Sequence, residues 1–212
     1  MKNKKLLFYL TLTIAMLTFA INIITYPHMP NRVPVHWGVT GEPDQYGTKG
    51  RQLAMGILPL LLFFVVSFMP RIDPKKENFK KHENAYSITI FVIILFISCL
   101  NLSGLFSSLG YNVPFQKVVP VALGLLLIVL GNYMTQFRHN YFVGFRTPWT
   151  LASEYVWKKT HRFGGYVFVL VGIVPLSALF IGKIGMYLFI GALAIGMIGT
   201  YVYSYLVFRK SS

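Results

Sequence analysis

The chain has 212 residues, of which 55% are hydrophobic and only 12% are charged; its mean hydropathy is +0.57. A soluble domain carries about a quarter charged residues, so this composition excludes an ordinary soluble enzyme, and it excludes intrinsic disorder, which needs low hydrophobicity. Lysine and arginine total 20 against 6 acidic residues, a net charge of +14, which in so apolar a chain indicates basic loops beside a membrane.

Six apolar segments follow one another along the chain, each close to the roughly 20 residues that a helix needs to cross a bilayer. None has a charged residue in its middle. They predict an all-α fold, a polytopic membrane bundle of six transmembrane helices. The segments are 6–26, 53–69, 87–109, 118–137, 165–181 and 186–208.

Two features inside these segments predict helix contacts. Asn101 lies mid-helix in the third segment, and because its amide is costly in lipid we expect it to hydrogen-bond across a helix interface. Ala192, Gly196 and Thr200 are spaced by four in the sixth segment. That spacing predicts a ridge of small residues for close helix packing.

The basic residues alternate between the two sides of this bundle. Fifteen lie at the termini and in the loops after the second and fourth segments, and five lie in the other loops. Because loops rich in lysine and arginine stay in the cytoplasm, we expect both termini to be cytoplasmic. We also expect the first segment to be kept as a transmembrane helix rather than cleaved off as a signal peptide, since it is longer than the apolar core of a signal peptide.

The first outer loop, residues 27–52, is longer than a simple connection needs and holds four prolines and four glycines. It predicts a small, turn-rich cap on the membrane surface. Alternating apolar residues at 33–37 predict a short extended piece, and residues 41–44 predict a turn.

Three residues of this loop, His36, Glu42 and Asp44, are candidates for a ligand-facing surface. Together with His28 they raise a metal hypothesis, because imidazole and carboxylate groups bind zinc. The two histidines are eight residues apart and form no compact ligand pattern. We therefore expect no metal here.

The inner loop, residues 138–164, begins with an aromatic-rich turn around Gly144. Thr147 and Pro148 predict a helix start, because threonine caps helices and proline fits the first turn; Thr150 is an alternative cap.

The charges of this loop suit a helix dipole, with Glu154 early and Lys158 late. Gly164 and Gly165 are expected to end the helix. We expect a cytoplasmic amphipathic helix lying in the membrane interface, with basic residues toward anionic headgroups. Its apolar stripe would comprise Trp149, Ala152, Val156 and Phe163.

Membrane anchoring alone does not require the order of residues in the inner loop. Residues 140–151 read NYFVGFRTPWTL and resemble the signature of the SdpI family. The resemblance extends to Gly131-Asn132 upstream and to Glu154, Val156-Trp157-Lys158 and His161-Arg162-Phe163-Gly164 downstream. The outer loop is similar to a domain often found N-terminal in the same family, through residues Pro30, Pro34, His36, Gly41-Glu42-Pro43-Asp44, Gly47 and Lys49.

The resemblance implies a bacterial plasma-membrane protein that gives immunity to a secreted, membrane-active peptide toxin. The family's namesake acts against the sporulation-delaying protein and also signals, by holding a soluble repressor at the membrane. The implied partners are therefore the lipid bilayer, a peptide toxin and a repressor protein.

The inner motif then supplies the candidate ligand- or partner-binding residues. We expect Arg146 to organise the loop by donating hydrogen bonds to backbone carbonyls or to Glu154, and Arg146→Ala to abolish function while leaving membrane insertion intact. The full set is Asn140, Gly144, Arg146, Thr147, Pro148, Trp149, Thr150, Glu154, Trp157 and His161.

We expect two units, residues 1–70 with two helices and the outer loop 27–52, and residues 71–212 with four helices and the inner loop 138–164.

The alternative function is a transporter or channel for a small or apolar solute, although proton-coupled transport favours ionisable residues within the spans. A membrane enzyme is less favoured.

Glu154 and His161 share a helical face and could in principle exchange protons. The sequence has no HExxH pair, phosphate-binding loop or dinucleotide fingerprint, so we expect no enzyme, no cofactor and no catalytic residue. Direct nucleic-acid binding is disfavoured, because the charge excess is divided among short loops.

Overall fold

The computed structural model describes residues 2–211. Six helical stretches are long and apolar enough to cross a bilayer, which confirms the predicted six-helix membrane bundle. The long helices are α1 (Lys2–Thr25), α2 (Lys49–Ile72), α4 (Glu83–Ser108), α5 (Phe115–Met134), α7 (Glu154–Ile173) and α9 (Lys183–Ser211). The short ones are α3 (Lys76–Lys81), α6 (Pro148–Ala152) and α8 (Ala178–Ile181), with 3-10 turns at Tyr26–His28 and Val174–Ser177.

The long helices pack in two groups of three. Helices α1, α2 and α4 contact one another, α7 packs against both α5 and α9, and α4 joins the groups by packing on α5. The predicted contact of Asn101 is confirmed, because its Oδ1 accepts a hydrogen bond of 2.7 Å from Asn22 Nδ2 on α1. The predicted close packing on α9 is also confirmed: a Cβ on Gly196 would lie 2.6 Å from Val167 Cγ1.

The predicted end of the inner-loop helix is wrong. Gly164 and Gly165 lie inside α7, which runs from Glu154 to Ile173. The predicted single helix is interrupted at Ser153, whose backbone is extended, so its first part is the short α6 and its second part is continuous with the fifth long helix. The reason is packing: a Cβ on Gly131 of α5 would lie 2.7 Å from the carbonyl oxygen of Gly165. Glycine at 131 and 165 lets the α5 and α7 backbones touch, whereas a Cβ on Gly164 would collide with the ring of Phe145.

The outer loop folds into an antiparallel two-stranded sheet of β1 (Arg32–Trp37) and β2 (Pro43–Thr48). The predicted extended piece at 33–37 is therefore confirmed. The predicted turn at 41–44 is displaced, because Pro43 and Asp44 already belong to β2 and the chain reverses over residues 38–42, where Gly38 N–H bonds Glu42 O. We call this end of the bundle the sheet end, and the opposite end, which carries α3 and α6, the loop end.

Candidate functional site: the loop-end cluster

The inner motif opens with a turn built on one buried asparagine. Asn140 is fully buried; its Oδ1 accepts hydrogen bonds from the backbone N–H groups of Phe142 (2.9 Å) and Val143 (2.7 Å). Its Nδ2 donates to the carbonyls of Arg138 (2.8 Å) and Val143 (3.1 Å). Both ends of the amide are thus used to close the loop, which makes Asn140 a structural part of the site.

The backbone of the turn then packs against the buried side chain of His161. Gly144 has φ +110°, and a Cβ there would collide with His161 Nε2. That same nitrogen accepts the N–H of Phe145 at 3.1 Å, while His161 Nδ1 faces the carbonyl of Trp157 at 2.9 Å. The carbonyl can only accept and the amide can only donate, so the partners require a neutral imidazole with its proton on Nδ1.

Trp157 lies at the centre of the apolar cluster beneath this turn. Its indole stacks on His161, with ring centroids 4.0 Å apart, and its Nε1 donates to the carbonyl of Phe137 at 2.8 Å. Tryptophan is favoured where its N–H finds a partner. Trp157 therefore joins the segment that follows α5 to α7.

Helix α6 begins where the sequence predicts. Thr147 and Thr150 form a reciprocal capping box, in which each side chain bonds the other's backbone N–H, and Pro148 occupies the first turn. Thr150 Oγ1 also donates to the carbonyl of Phe145 at 2.7 Å. The Thr147 hydroxyl reaches Ser204 on α9 at 3.1 Å, so this short helix is tied to the sixth span.

Trp149 and Glu154 lie at the margin of the cluster. Trp149 packs edge-on against Tyr201, with centroids 5.1 Å apart, and against Tyr205 on α9. Glu154 pairs with Lys158 one helical turn later, at 3.0 Å. The exposed Glu154 and the buried His161 are not brought together as an acid–base pair.

Arg146 is exposed on the surface of the loop. Its Nη1 donates to the carbonyl of Tyr141 at 2.9 Å, which confirms the predicted bond to a backbone carbonyl. The alternative bond to Glu154 is not formed, since that carboxylate faces Lys158. Arg146 thus joins the two sides of the turn, while the other N–H groups of its guanidinium remain free to bind a partner.

Sequence reasoning missed that a second loop completes the cluster. Asp73, at the end of α2, is almost fully buried; it accepts the N–H of Tyr141 at 2.8 Å and the N–H of Lys75 at 2.6 Å. Nearby, Asn78 Nδ2 donates to the carbonyl of His139 at 2.7 Å. The signal that could have found it is the lone aspartate before Pro74 in a basic stretch, a pattern typical of a turn cap.

Two histidines of this cluster have lowered pKa values. Burial lowers the pKa of His82, and the positive charge of Arg138 adds to the effect. Burial also lowers the pKa of His139, and Lys75, whose Nζ lies 2.8 Å from His139 Nδ1, acts in the same direction. The neutral forms of both imidazoles are favoured.

At the sheet end the structure brings together two of the three candidates. His36 Nδ1 and Asp44 Oδ1 form an exposed pair across the two strands, whereas Glu42 lies exposed in the turn. Within residues 2–211 no three histidine, cysteine or acidic side chains are grouped to hold a metal ion.

The geometry separates the loop-end candidates into two kinds. The framework is buried and its polar atoms serve mainly backbone partners: it consists of Asn140, Thr147, Thr150, Trp157 and His161. The surface that this framework shapes is exposed: Tyr141, Gly144, Arg146, Pro148 and Glu154. A partner that meets the cluster would contact the second set.

Comparisons with known proteins bear on this motif. Residues 136–204 match the SdpI/YfhL protein family, and residues 13–63 match a domain of unknown function, DUF1648. Over 204 residues, 95% of each chain, the protein is 30% identical to a Bacillus subtilis (strain 168) protein named "Immunity protein SdpI". The chain belongs to the SdpI/YfhL family. It is a multi-pass membrane protein, and no solved structure matches it.

Proposed function

We propose that this protein gives its host immunity to a secreted, membrane-active peptide toxin. The observation that carries the proposal is the 30% identity with a protein named as an immunity protein, which extends over 95% of both chains. A match of that extent covers the segments that form the six spans, the sheet and the loop-end cluster. The charge distribution supports cytoplasmic termini, an orientation in which the sheet lies outside, where a secreted toxin arrives.

The test is survival of a toxin-sensitive bacterium that expresses the chain and is challenged with the sporulation-delaying toxin. We expect the wild type to protect and Arg146→Ala to fail while still inserting in the membrane, because the variant loses the guanidinium that holds Tyr141 O. The matched control is Arg209→Ala, an exposed arginine near the end of α9, which should protect fully. Protection by Arg146→Ala equal to wild type would contradict the role of the motif, and failure of the wild type would contradict immunity.

A second part of the proposal is that the loop end captures a soluble repressor once toxin is bound. Its support is the positive charge of the loop end, where Arg138, Arg146, Lys158 and Lys159 are all exposed. A ligand can transmit such a signal only by binding two arrangements of the helices unequally.

This second part is tested with a fluorescent fusion of a candidate repressor, chosen from the genes that neighbour this one. Toxin should move the fusion from the cytoplasm to the membrane in wild-type cells. A fusion that stays soluble in cells that the chain protects would refute repressor capture and leave immunity standing.

A further inference from the structure

A cleft of about 310 Å³ opens at the sheet end of the bundle. Its walls come from helices α2, α4 and α5 and from strand β1, and most of its lining is apolar, including Met55 and Phe115. Its volume is at the lower end of the range of small-ligand pockets, roughly 300–1,000 Å³. The cleft is distinct from the loop-end cluster and contains none of the residues of the inner motif.

Two buried nitrogen atoms on the lining residues have no hydrogen-bond partner within the described part of the chain, residues 2–211: Nε1 of Trp37 and Nδ2 of Asn101. Buried polar groups are nearly always paired, so each unpaired one requires an explanation. An indole N–H and an amide NH₂ can only donate. Both atoms therefore call for the same kind of group, a hydrogen-bond acceptor.

The orientation of the Asn101 amide is fixed by its neighbours. Asn22 Nδ2 donates to the carbonyl of Thr18 at 2.8 Å, which identifies that end of Asn22 as its donor. The same nitrogen donates to Asn101 Oδ1 at 2.7 Å, so Asn101 must present its oxygen to Asn22 and turn its NH₂ away from it. Gln52 Nε2, 3.3 Å from the Asn101 carbonyl, holds the backbone at this point.

The Trp37 indole is also held in place. It stacks on Phe115 with ring centroids 4.2 Å apart and an interplanar angle of 21°. Its far edge lies over Gly104, where a Cβ would be only 3.0 Å from Trp37 Cη2. Donors positioned before a ligand arrives bind without the cost of ordering them.

The occupant must combine an acceptor with an apolar body. Met55 and Leu58, which line the cleft on α2, are 49% and 43% exposed. Because α2 is long and apolar enough to span a bilayer, we expect these side chains to contact lipid, so that an occupant enters the cleft from the hydrocarbon. A peptide that inserts there carries main-chain carbonyls that have lost their water and gain from any donor.

We propose that this cleft binds a main-chain carbonyl, with the adjoining apolar side chain, of a membrane-inserted peptide. The proposal rests on the proposed function, in which that peptide is the toxin. An ester carbonyl of a phospholipid offers the same acceptor, and the experiment separates the two sources.

The experiment uses the full chain in lipid nanodiscs and follows binding of fluorescently labelled sporulation-delaying toxin by anisotropy. Trp37→Phe removes the donor and keeps an aromatic ring on Phe115; one lost hydrogen bond should weaken binding roughly 2- to 12-fold. Tyr46→Phe is the matched control, because it removes one hydroxyl from an exposed ring of the same sheet and should bind as wild type does. The same discs made with ether-linked phospholipid lack ester carbonyls.

The outcomes separate the two proposals. Weaker binding by Trp37→Phe alone, in ester and ether discs alike, supports the cleft as a peptide site. Equal binding by all three proteins overturns the cleft while the proposed function stands. If replacing ester lipid with ether lipid raises the toxin affinity of the wild type but not that of Trp37→Phe, the occupant of the cleft is a phospholipid. That result overturns the peptide as the occupant. A wild type that neither binds toxin nor protects cells overturns the proposed function and the toxin site together.

Discussion

Replacing Gly144 with alanine should destabilise the protein more than a comparable change at another glycine with positive φ. Gly144 has φ +110°, a backbone conformation that strains an alanine, and the new methyl would also overlap His161 Nε2 at a separation that real Cβ atoms do not show. His161 is 1% exposed, so its ring has nowhere to move without giving up its bond to the N–H of Phe145.

The magnitude follows from three contributions. The left-handed backbone costs an alanine about 1–2 kcal/mol, overpacking a buried site costs about 1–3 kcal/mol, and a displaced hydrogen bond costs about 1 kcal/mol. Together they amount to about 3–6 kcal/mol. Gly110 is the matched control: its φ is +89° and a methyl added there would have nothing within 4 Å, so Gly110→Ala should cost only about 1–2 kcal/mol.

The assay is the free energy of unfolding in mixed detergent micelles, measured by titration with dodecyl sulfate. Adding His161→Ala to Gly144→Ala removes the ring that the methyl strikes, so the double variant should lose less stability than the sum of the two single losses. Equal losses for Gly144→Ala and Gly110→Ala would refute the argument that contact with His161, rather than backbone conformation, fixes glycine at this position.

Three further predictions concern the polar groups of the loop-end cluster. Asn140→Ala should lower the free energy of unfolding by roughly 2–5 kcal/mol, because it leaves two backbone N–H groups unpaired. The control Asn132→Ala removes only one exposed intrahelical hydrogen bond and should change that free energy little. Equal losses for the two variants in the dodecyl sulfate titration would contradict this prediction. Asp73→Ala should free residues 138–146, seen as faster hydrogen exchange there than in wild type, and unchanged exchange would count against a link between the two loops. Burial and Lys75 lower the pKa of His139 in the folded state, so the stability that the neutral imidazole contributes is present above pH about 6.5 and is lost as pH falls through the folded pKa. Melting temperatures measured against pH should therefore fall less steeply in His139→Gln than in wild type. An identical pH dependence of the two proteins would contradict the assignment.

The membrane architecture was predictable because it depends on composition and length. Six apolar segments of about 20 residues leave few other folds, and the mid-helix Asn101 had to find a partner in the absence of water. The strand at 33–37 was predictable from alternation, whereas β2 was not, because its sequence PDQYGT is polar and contains the proline and glycine that indicate a turn.

The site was predictable only in part. The order of the inner motif selected candidate residues that the structure places together at the loop end, and the threonine–proline start of α6 follows from local capping chemistry. The sequence misled at Gly164 and Gly165, because the residue type that ends helices also leaves room for close packing. The α5 backbone lies against Gly165 and the Phe145 ring lies against Gly164, and no local pattern shows either contact. Asp73 lies 68 residues from Tyr141 in sequence; its place before Pro74 indicates a turn cap but does not identify Tyr141 as the partner.

The most direct test of the account is the membrane potential of a toxin-sensitive bacterium after addition of the sporulation-delaying toxin, with and without this chain. An immunity protein should hold the potential near its starting value in cells that express the chain, while it collapses in cells with the empty vector. Collapse at the same rate in both, with the chain verified in the membrane, would contradict the proposed immunity.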